Sequence, residues 1–387
     1  MTVLLVHNRY RFRGGEDRAF EAEGALLEAH GHRVVRYVED NARIPGMGRV
    51  RLAWTAIWNR RAYRQLRELI RRERPSLVHF HNSFPLLSVA ALCAARDEGV
   101  PAVETLHNYR LACPNGLLWR DGKPCRACLG RAVPWPGVRH GCYRRSRAAT
   151  LVAALAIAAR KAAGAWHDGV EAYIVPSAFA RAVLLEAGLP ERKLVVKPNF
   201  VYPDPGPGDG SGAYAVYLGR LSEEKGVGVL LEAWSRLRGS RRLVLAGGGP
   251  LARQVQERSG SGGIEAVGVL DRDGVAALLR GAAILVAPSL CYEVCPMAAL
   301  EALAAGTPVV ASELGGLTEL VTPGRTGWLV PPGDAAALAG AIEAALEDPS
   351  GLRTMRREAR RVYLERYTAE ANYRRLVEIY SRVVGRG

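Results

Sequence analysis

No stretch of this chain stays apolar for the roughly 20 residues that a membrane-spanning helix needs. Nothing at its start has the order of a cleavable signal, since "MTVLLVH" runs directly into a polar loop. Both absences predict a protein made and kept in the cytoplasm. Cysteine is sparse and odd in number, seven in 387 residues, which argues against a secreted disulfide framework. The sequence also lacks low-complexity tracts and short-period repeats. With 49% hydrophobic and 24% charged residues it is too apolar for disorder, and it is too long for one ordinary core, so two domains are expected.

The first half is short of acid. Residues 1–202 carry 32 Lys+Arg against 17 Asp+Glu, whereas residues 203–387 carry 21 of each, so the whole net charge of +15 belongs to the first half. Such asymmetry points to an anionic partner for one domain: nucleic acid, a membrane surface or a phosphorylated substrate.

What is present is an alternation of short apolar runs and longer amphipathic stretches, the pattern of βα units on a parallel sheet. "TVLLVH", "SLVHFH", "PAVETLH", "AYIVPS" and "KLVVKPN" read as strands, and "GGEDRAFEAEGALLEAHG" as a loop and helix. A Pro/Gly-rich segment, "YPDPGPGDGSG" at 202–212, reads as a linker. The pattern then restarts with "AYAVYLG", "RRLVLAG", "IEAVGV", "AILVAPS", "PVVAS" and "GWLVPPG", and residues 350–383 read as helical. Two open α/β sheets imply a cleft, because ligands sit beyond the carboxyl ends of parallel strands.

Four strand-to-helix loops carry unusual chemistry. "HNRYRFRGGED" puts Gly14 and Gly15 at a helix entry, where bare amides can approach an anion; an ordinary turn reads the same way. "GRLSEEKG" offers Arg220 and Lys225, which together can neutralise a diphosphate or serve as solvated surface charge. "AGGGPL", with Gly248 at its centre, is a turn that admits a base or sugar close to backbone, or simply a turn. "CYEVCPMAALEALAAG" has Pro296 suited to a helix start and Gly306 to its C-terminal cap. Glu293 then lies ahead of the helix and Glu301 on its second turn, roughly 80° from alignment by helical spacing, so the two carboxylates have different tasks.

Taken in order, "GRLSEEKG", "AGGGPL" and "PSLCYEVCPMAALEALAAGTPVVASELGGLTELVTPGRTGWLVPPGD" resemble the donor domain of the family 4 retaining glycosyltransferases, whose signature is the Glu-x7-Glu spacing of Glu293 and Glu301. "RGGED", "HFHNSFPLLS" and "TLHNYRLACPNG" resemble a bacterial branch acting on surface polysaccharides and glycoconjugates. The resemblance implies a GT-B architecture: two Rossmann-like, doubly wound parallel-sheet domains facing a cleft. An acceptor-side domain would span 1–202 and a donor-binding domain 203–365, with a helix at 366–387 returning to the first. It implies that Arg220 and Lys225 contact the diphosphate of a UDP- or GDP-sugar, Glu301 the ribose, and Glu293 and His107 the transferred sugar. Gly14 and Gly15 would close on the diphosphate, and the amides of Val294, Cys295 and Met297 would hold phosphate or sugar. The family has small-aromatic residues after the first glutamate where this chain has "EVCP". The activity implied is transfer with retention to a hydroxyl of a glycan or lipid-linked acceptor, without a catalytic metal.

Two features lie outside that scheme. Cys113, Cys125, Cys128 and Cys142, in the segment 113–142, supply either four thiolates for a tetrahedral structural zinc or a set of reduced thiols. Residues 49–74 hold nine arginines, with Trp54, Trp58, Leu66 and Ile70 at multiples of four: one helix face, for an anionic membrane at the inner side of the cell or for packing on its own domain. Two other readings compete with transfer. One is a GT-B nucleotide-sugar epimerase; the other is a basic nucleic-acid-binding protein, disfavoured because the basic half has no compact recognition motif or interleaved aromatics.

Overall fold

The computed structural model describes residues 1–11, 14–239 and 241–385. By compactness these form two units. The first comprises residues 1–118, 125–198 and 372–387, and the second residues 119–124 and 199–371.

Six parallel strands make the first unit's sheet: β1 (Thr2–Arg9), β2 (Arg33–Asp40), β3 (Leu77–Asn82), β4 (Ala102–Thr105), β7 (Ala172–Val175) and β8 (Leu194–Val196), in the order β2-β1-β3-β4-β7-β8. The short hairpin β5 (Trp119–Arg120) and β6 (Lys123–Pro124) lies between them in sequence. β2 escaped the sequence reading. Its run "RVVRYVED" is charged because it is an edge strand, half exposed and paired only with β1; edge strands favour charge. One face of the sheet buries Val3, Leu5, Leu77, Val103 and Ile174 against Leu376, Ile379 and Tyr380 of the helix Ala369–Val384.

The second unit's sheet is built from β9 (Ala215–Leu218), β10 (Leu243–Ala246), β11 (Ile264–Gly268), β12 (Ile284–Ala287), β13 (Val309–Ser312) and β14 (Gly327–Val330). Its order is β11-β10-β9-β12-β13-β14, all parallel. Alternate residues feed two cores, as the twofold period of strands requires. Ala215, Tyr217, Leu245 and Val286 face one, and Val216, Leu285, Val309 and Ala311 the other.

Two expectations need correction. The segment 202–212 is not a free linker. The amides of Gly208, Gly210 and Gly212 donate to the carbonyls of Ala305, Arg280 and Gly281 at 2.9–3.0 Å, and Arg360 forks onto Asp204 with two bonds of 2.6 Å. Its glycines serve close approach: a Cβ on Gly208 would lie 2.2 Å from the Arg280 carbonyl oxygen. Composition that suits a flexible spacer also suits a strap laid flat on a surface.

Residues 49–74 likewise form two helices, Arg49–Ile57 and Arg60–Glu73. The break comes at Trp58 and Asn59, where the Asn59 side chain caps the second helix by accepting from the amides of Arg61 and Ala62. The expected single apolar face is therefore split. Leu66 and Ile70 are buried, while Trp54 and Trp58 are 67% and 40% exposed.

Candidate active site

The second unit's strand order runs outward in two directions from β9 and β12. Loops leaving adjacent strands diverge there, and ligands of open α/β sheets bind at that reversal. The loop after β9 is "GRLSEEKG" and the loop after β12 leads to the helix Met297–Ala305. Glycines let these loops abut. Gly226 has φ +71°, and a Cβ there would fall 1.8 Å from the Pro288 carbonyl oxygen; a Cβ on Gly247 would fall 1.8 Å from that of Gly219. Backbone bonds lock the approach: Leu221 N–H to the Gly248 carbonyl at 2.9 Å, Leu290 N–H to Glu224 at 2.8 Å and Gly316 N–H to Glu293 at 2.7 Å.

At this reversal the Lys225 ammonium donates to Glu293 Oε1, which also accepts from Ser289 Oγ at 2.7 Å. Burial works against the charge on Lys225, but Glu293 outweighs it and holds the ammonium above its ordinary pKa. The Cys291 thiol beside them is pushed up to about 12 by burial and then by Glu293, so it is protonated at neutral pH. Arg220 is exposed at the loop's start, with its carbonyl held by Tyr217 OH at 2.6 Å. The helix Met297–Ala305 has Pro296 as its N-cap, no side-chain cap bond, and Gly306 in the left-handed conformation at its end. Its N-cap therefore leaves the first-turn amides without a capping side chain. Val294 and Cys295 are buried just ahead of it, and Glu301 is half-buried on its second turn.

In the first unit the strand order reverses between β1 and β3. His7, His79 and His81 lie on these strands, and His107 follows β4. Glu23, at the centre, receives Lys197 Nζ at 2.9 Å, His79 Nδ1 at 2.9 Å and His81 Nε2 at 3.1 Å. Burial would raise this carboxyl, but Lys197 and the two histidines outweigh it and hold it far below its ordinary range. Glu23, His79 and His81 have the donor set of a cation site, and the Glu23 carboxylate already receives the ammonium of Lys197. Sequence reasoning missed this cluster because Lys197 is 174 residues away from Glu23.

Gly14 also differs from expectation. Gly14 N–H is not bare, since it donates to Asp17 Oδ2 at 2.8 Å, while Asp17 Oδ1 accepts from His7 Nε2 at 2.8 Å. Gly15 remains as the first residue of the helix Gly15–Ala29. Phe12 and Arg13 lie outside the described residues.

Cys113, Cys125, Cys128 and Cys142 are neighbours. Cys128 is pushed up to about 12 by burial and then by the other three thiols, and amides of Leu118, Asn115 and Gly116 point at Cys113. No three of these sulfurs lie within 4.8 Å of one another, whereas a closed Zn–S4 tetrahedron has edges of about 3.8 Å.

Family profiles match both halves: "Glycosyltransferase Family 4" over residues 13–204 and "Glycosyl transferases group 1" over 212–348. The glycogen synthase of Mycobacterium tuberculosis is 31% identical over 342 residues, 85% of this chain and 75% of that protein. The chain belongs to the family 4 glycosyltransferases. It is therefore a glycosyl-transferring enzyme, and its two parallel-sheet units are those of the GT-B fold. A 2-deoxystreptamine glucosyltransferase of Streptomyces kanamyceticus is 27% identical over 89% of this chain and 86% of its own. Among solved structures, the sucrose-phosphate synthase of Thermosynechococcus elongatus superposes with a TM-score of 0.74 at 20% identity, covering both chains fully. Anabaena HepE in complex with UDP-glucose gives 0.70 at 17% identity, over 98% of this glycosyltransferase and 99% of HepE. No described helix is long and apolar enough to cross a membrane.

Proposed function

We propose that this glycosyltransferase moves a hexose from a UDP- or GDP-sugar, with retention at the anomeric carbon, to a hydroxyl of a glycan or lipid-linked acceptor. The observation that carries this reading is the Lys225–Glu293 pair at the reversal of the second sheet. A cation in the loops that meet at an uncapped helix start suits a diphosphate, and a carboxylate paired with that cation suits sugar hydroxyls. We assign Lys225, Arg220 and the amides of Val294, Cys295 and Met297 to the diphosphate side. Glu301 is assigned to the ribose, Gly248 to the close approach of the nucleoside, and Glu293 and His107 to the transferred sugar. Gly15 takes the role expected of the Gly14–Gly15 pair. Developing negative charge on the leaving diphosphate is met by Lys225, Arg220 and the helix start, so these residues supply the stabilisation such a departure needs. The complexes of HepE with UDP and with UDP-glucose favour a uridine nucleotide.

Incubation with UDP- and GDP-hexoses tests the reading. Slow release of the nucleoside diphosphate is expected, and binding of no such donor would sink it. A lipid-linked acceptor is supported by the exposed Val50 and Trp54 on the helix Arg49–Ile57, which also carries Arg49 and Arg51. That helix suits adsorption to an anionic surface, so sedimentation with phosphatidylglycerol vesicles should fall sharply in Trp54→Ser. We further propose that the four cysteines close on a structural zinc. Metal analysis of protein never exposed to chelator should find about one zinc per chain; reduced thiols alone would give none.

A further inference from the structure

His107 is the outer end of a buried chain of hydrogen bonds whose proton placement is forced from its inner end. Glu23 sits 3% exposed between Lys197 and two histidines. An ionised carboxylate only accepts, so the nitrogen facing it, His81 Nε2 at 3.1 Å, carries a proton. His81 is 3% exposed, and burial followed by the neighbouring His79 lowers it to about 4, so its ring is neutral at pH 7. Its Nδ1 then holds a lone pair. That atom lies 3.1 Å from His107 Nε2, with the two rings 20° from coplanar and their centroids 5.3 Å apart, as an in-plane N–H···N bond requires. His107 Nε2 must be the donor. One proton on a neutral imidazole leaves Nδ1 without any, and among the described residues that atom has no hydrogen-bond partner.

We propose that Glu23 and His81 are positioning residues that hold His107 with its proton on Nε2, so that Nδ1 is a fixed acceptor for a hydroxyl of the transferred sugar. The second clause rests on the assignment of His107 to that sugar; the first does not. The other contacts of the chain keep its inner end rigid. Lys197 is held by Asn372 Oδ1 at 3.1 Å, and His79 by Tyr380 OH at 2.7 Å and Thr105 Oγ1 at 2.8 Å. An acceptor fixed in this way selects a group that can donate. It also prevents His107 from acting as an acid at neutral pH, since its own charged form is disfavoured by burial and then by His81.

Nitrogen-15 NMR of the full chain labelled at the histidine rings tests the first clause without any variant. Between pH 6.5 and 8, His81 and His107 should both be neutral and both protonated at Nε2. Protonation of His107 at Nδ1, or a charged His107, would overturn the proposal. Kinetics with the UDP- or GDP-hexose that the wild type uses test the second. His107→Asn places an amide oxygen close to the Nδ1 position and should keep kcat/KM about ten-fold above His107→Gln, which reaches towards Nε2 instead. His81→Phe should lower kcat/KM about ten-fold alone but less than two-fold in the His107→Asn background, where no tautomer needs fixing. Equal losses in both backgrounds, or equal activity of the Asn and Gln variants, would refute the acceptor role. If no nucleotide sugar is used at all, the functional reading fails while the NMR result still decides the tautomer.

Discussion

Replacing Lys225 with methionine removes the ammonium and keeps the length of the side chain. Lys225 is 28% exposed on its side chain and Glu293 13%, so the pair is partly screened and a low-dielectric Coulomb figure would overstate it. A charge-assisted hydrogen bond in such a setting contributes about 1.5–3 kcal/mol. If Lys225 gives that interaction to a bound diphosphate, Lys225→Met should weaken UDP or GDP binding about 10- to 100-fold by calorimetry. Glu293→Gln should act in the opposite direction on the bare nucleotide. It frees the ammonium from a competing carboxylate, so nucleoside diphosphate binds as tightly or more tightly while sugar transfer falls. Because the folded pKa of Lys225 is raised, the ammonium keeps its charge from neutral into alkaline pH and loses its proton only as pH climbs through the raised value. The contrast between the variants should therefore be the same at pH 7 and pH 9. Unchanged nucleotide affinity in Lys225→Met, in protein that melts like the wild type, would refute the placement of the diphosphate.

Gly226→Ala should destabilise the fold and abolish donor binding, because φ +71° and a 1.8 Å approach to the Pro288 oxygen leave no room for a Cβ; Gly228→Ala, on the next helix with nothing within 4 Å, should be neutral or stabilising by up to about 1 kcal/mol. Acid should destabilise the first unit. His81 has a folded pKa of about 4 against an ordinary 6.5, so the unfolded chain binds more protons, and urea titrations should show a loss of about 2 kcal/mol between pH 7 and pH 5 from this group; Glu23, also depressed, adds to the loss at lower pH, and flat stability would contradict the network. Arg160→Met should cost about 3–5 kcal/mol by denaturant melts, since it strands the buried carboxylate of Glu104.

Much of the second unit was legible because its strands are central and apolar, and because a helix bounded by Pro296 and Gly306 announces its ends. The pairing of Lys225 with Glu293 needed the strand order, which no local pattern encodes. Less of the first unit could be read. β2 lacks the apolar run of a central strand because an edge strand bears charge, and the break at Asn59 hides inside a run whose arginines, alanines and leucines favour helix on both sides of it. Gly14 looked available to an anion because a glycine pair says nothing of who accepts its amide; only the fold brings Asp17 there. The buried histidines were invisible as a network, since Glu23, His79, Lys197 and Tyr380 meet only in space.

The helix Ala369–Val384 supplies Tyr380 to His79 and Asn372 to Lys197, and closes one face of the first unit's core. During synthesis, therefore, the unit begun first cannot finish first. Residues 1–198 must wait, with Lys197 and His79 short of partners and Val3, Leu5 and Leu77 open to solvent, until residues 372–385 are made. By then residues 199–371 are already complete. On a ribosome the order of maturation is inverted, and a chain stopped near residue 371 would present its earliest-made sheet, not its latest, to the chaperones.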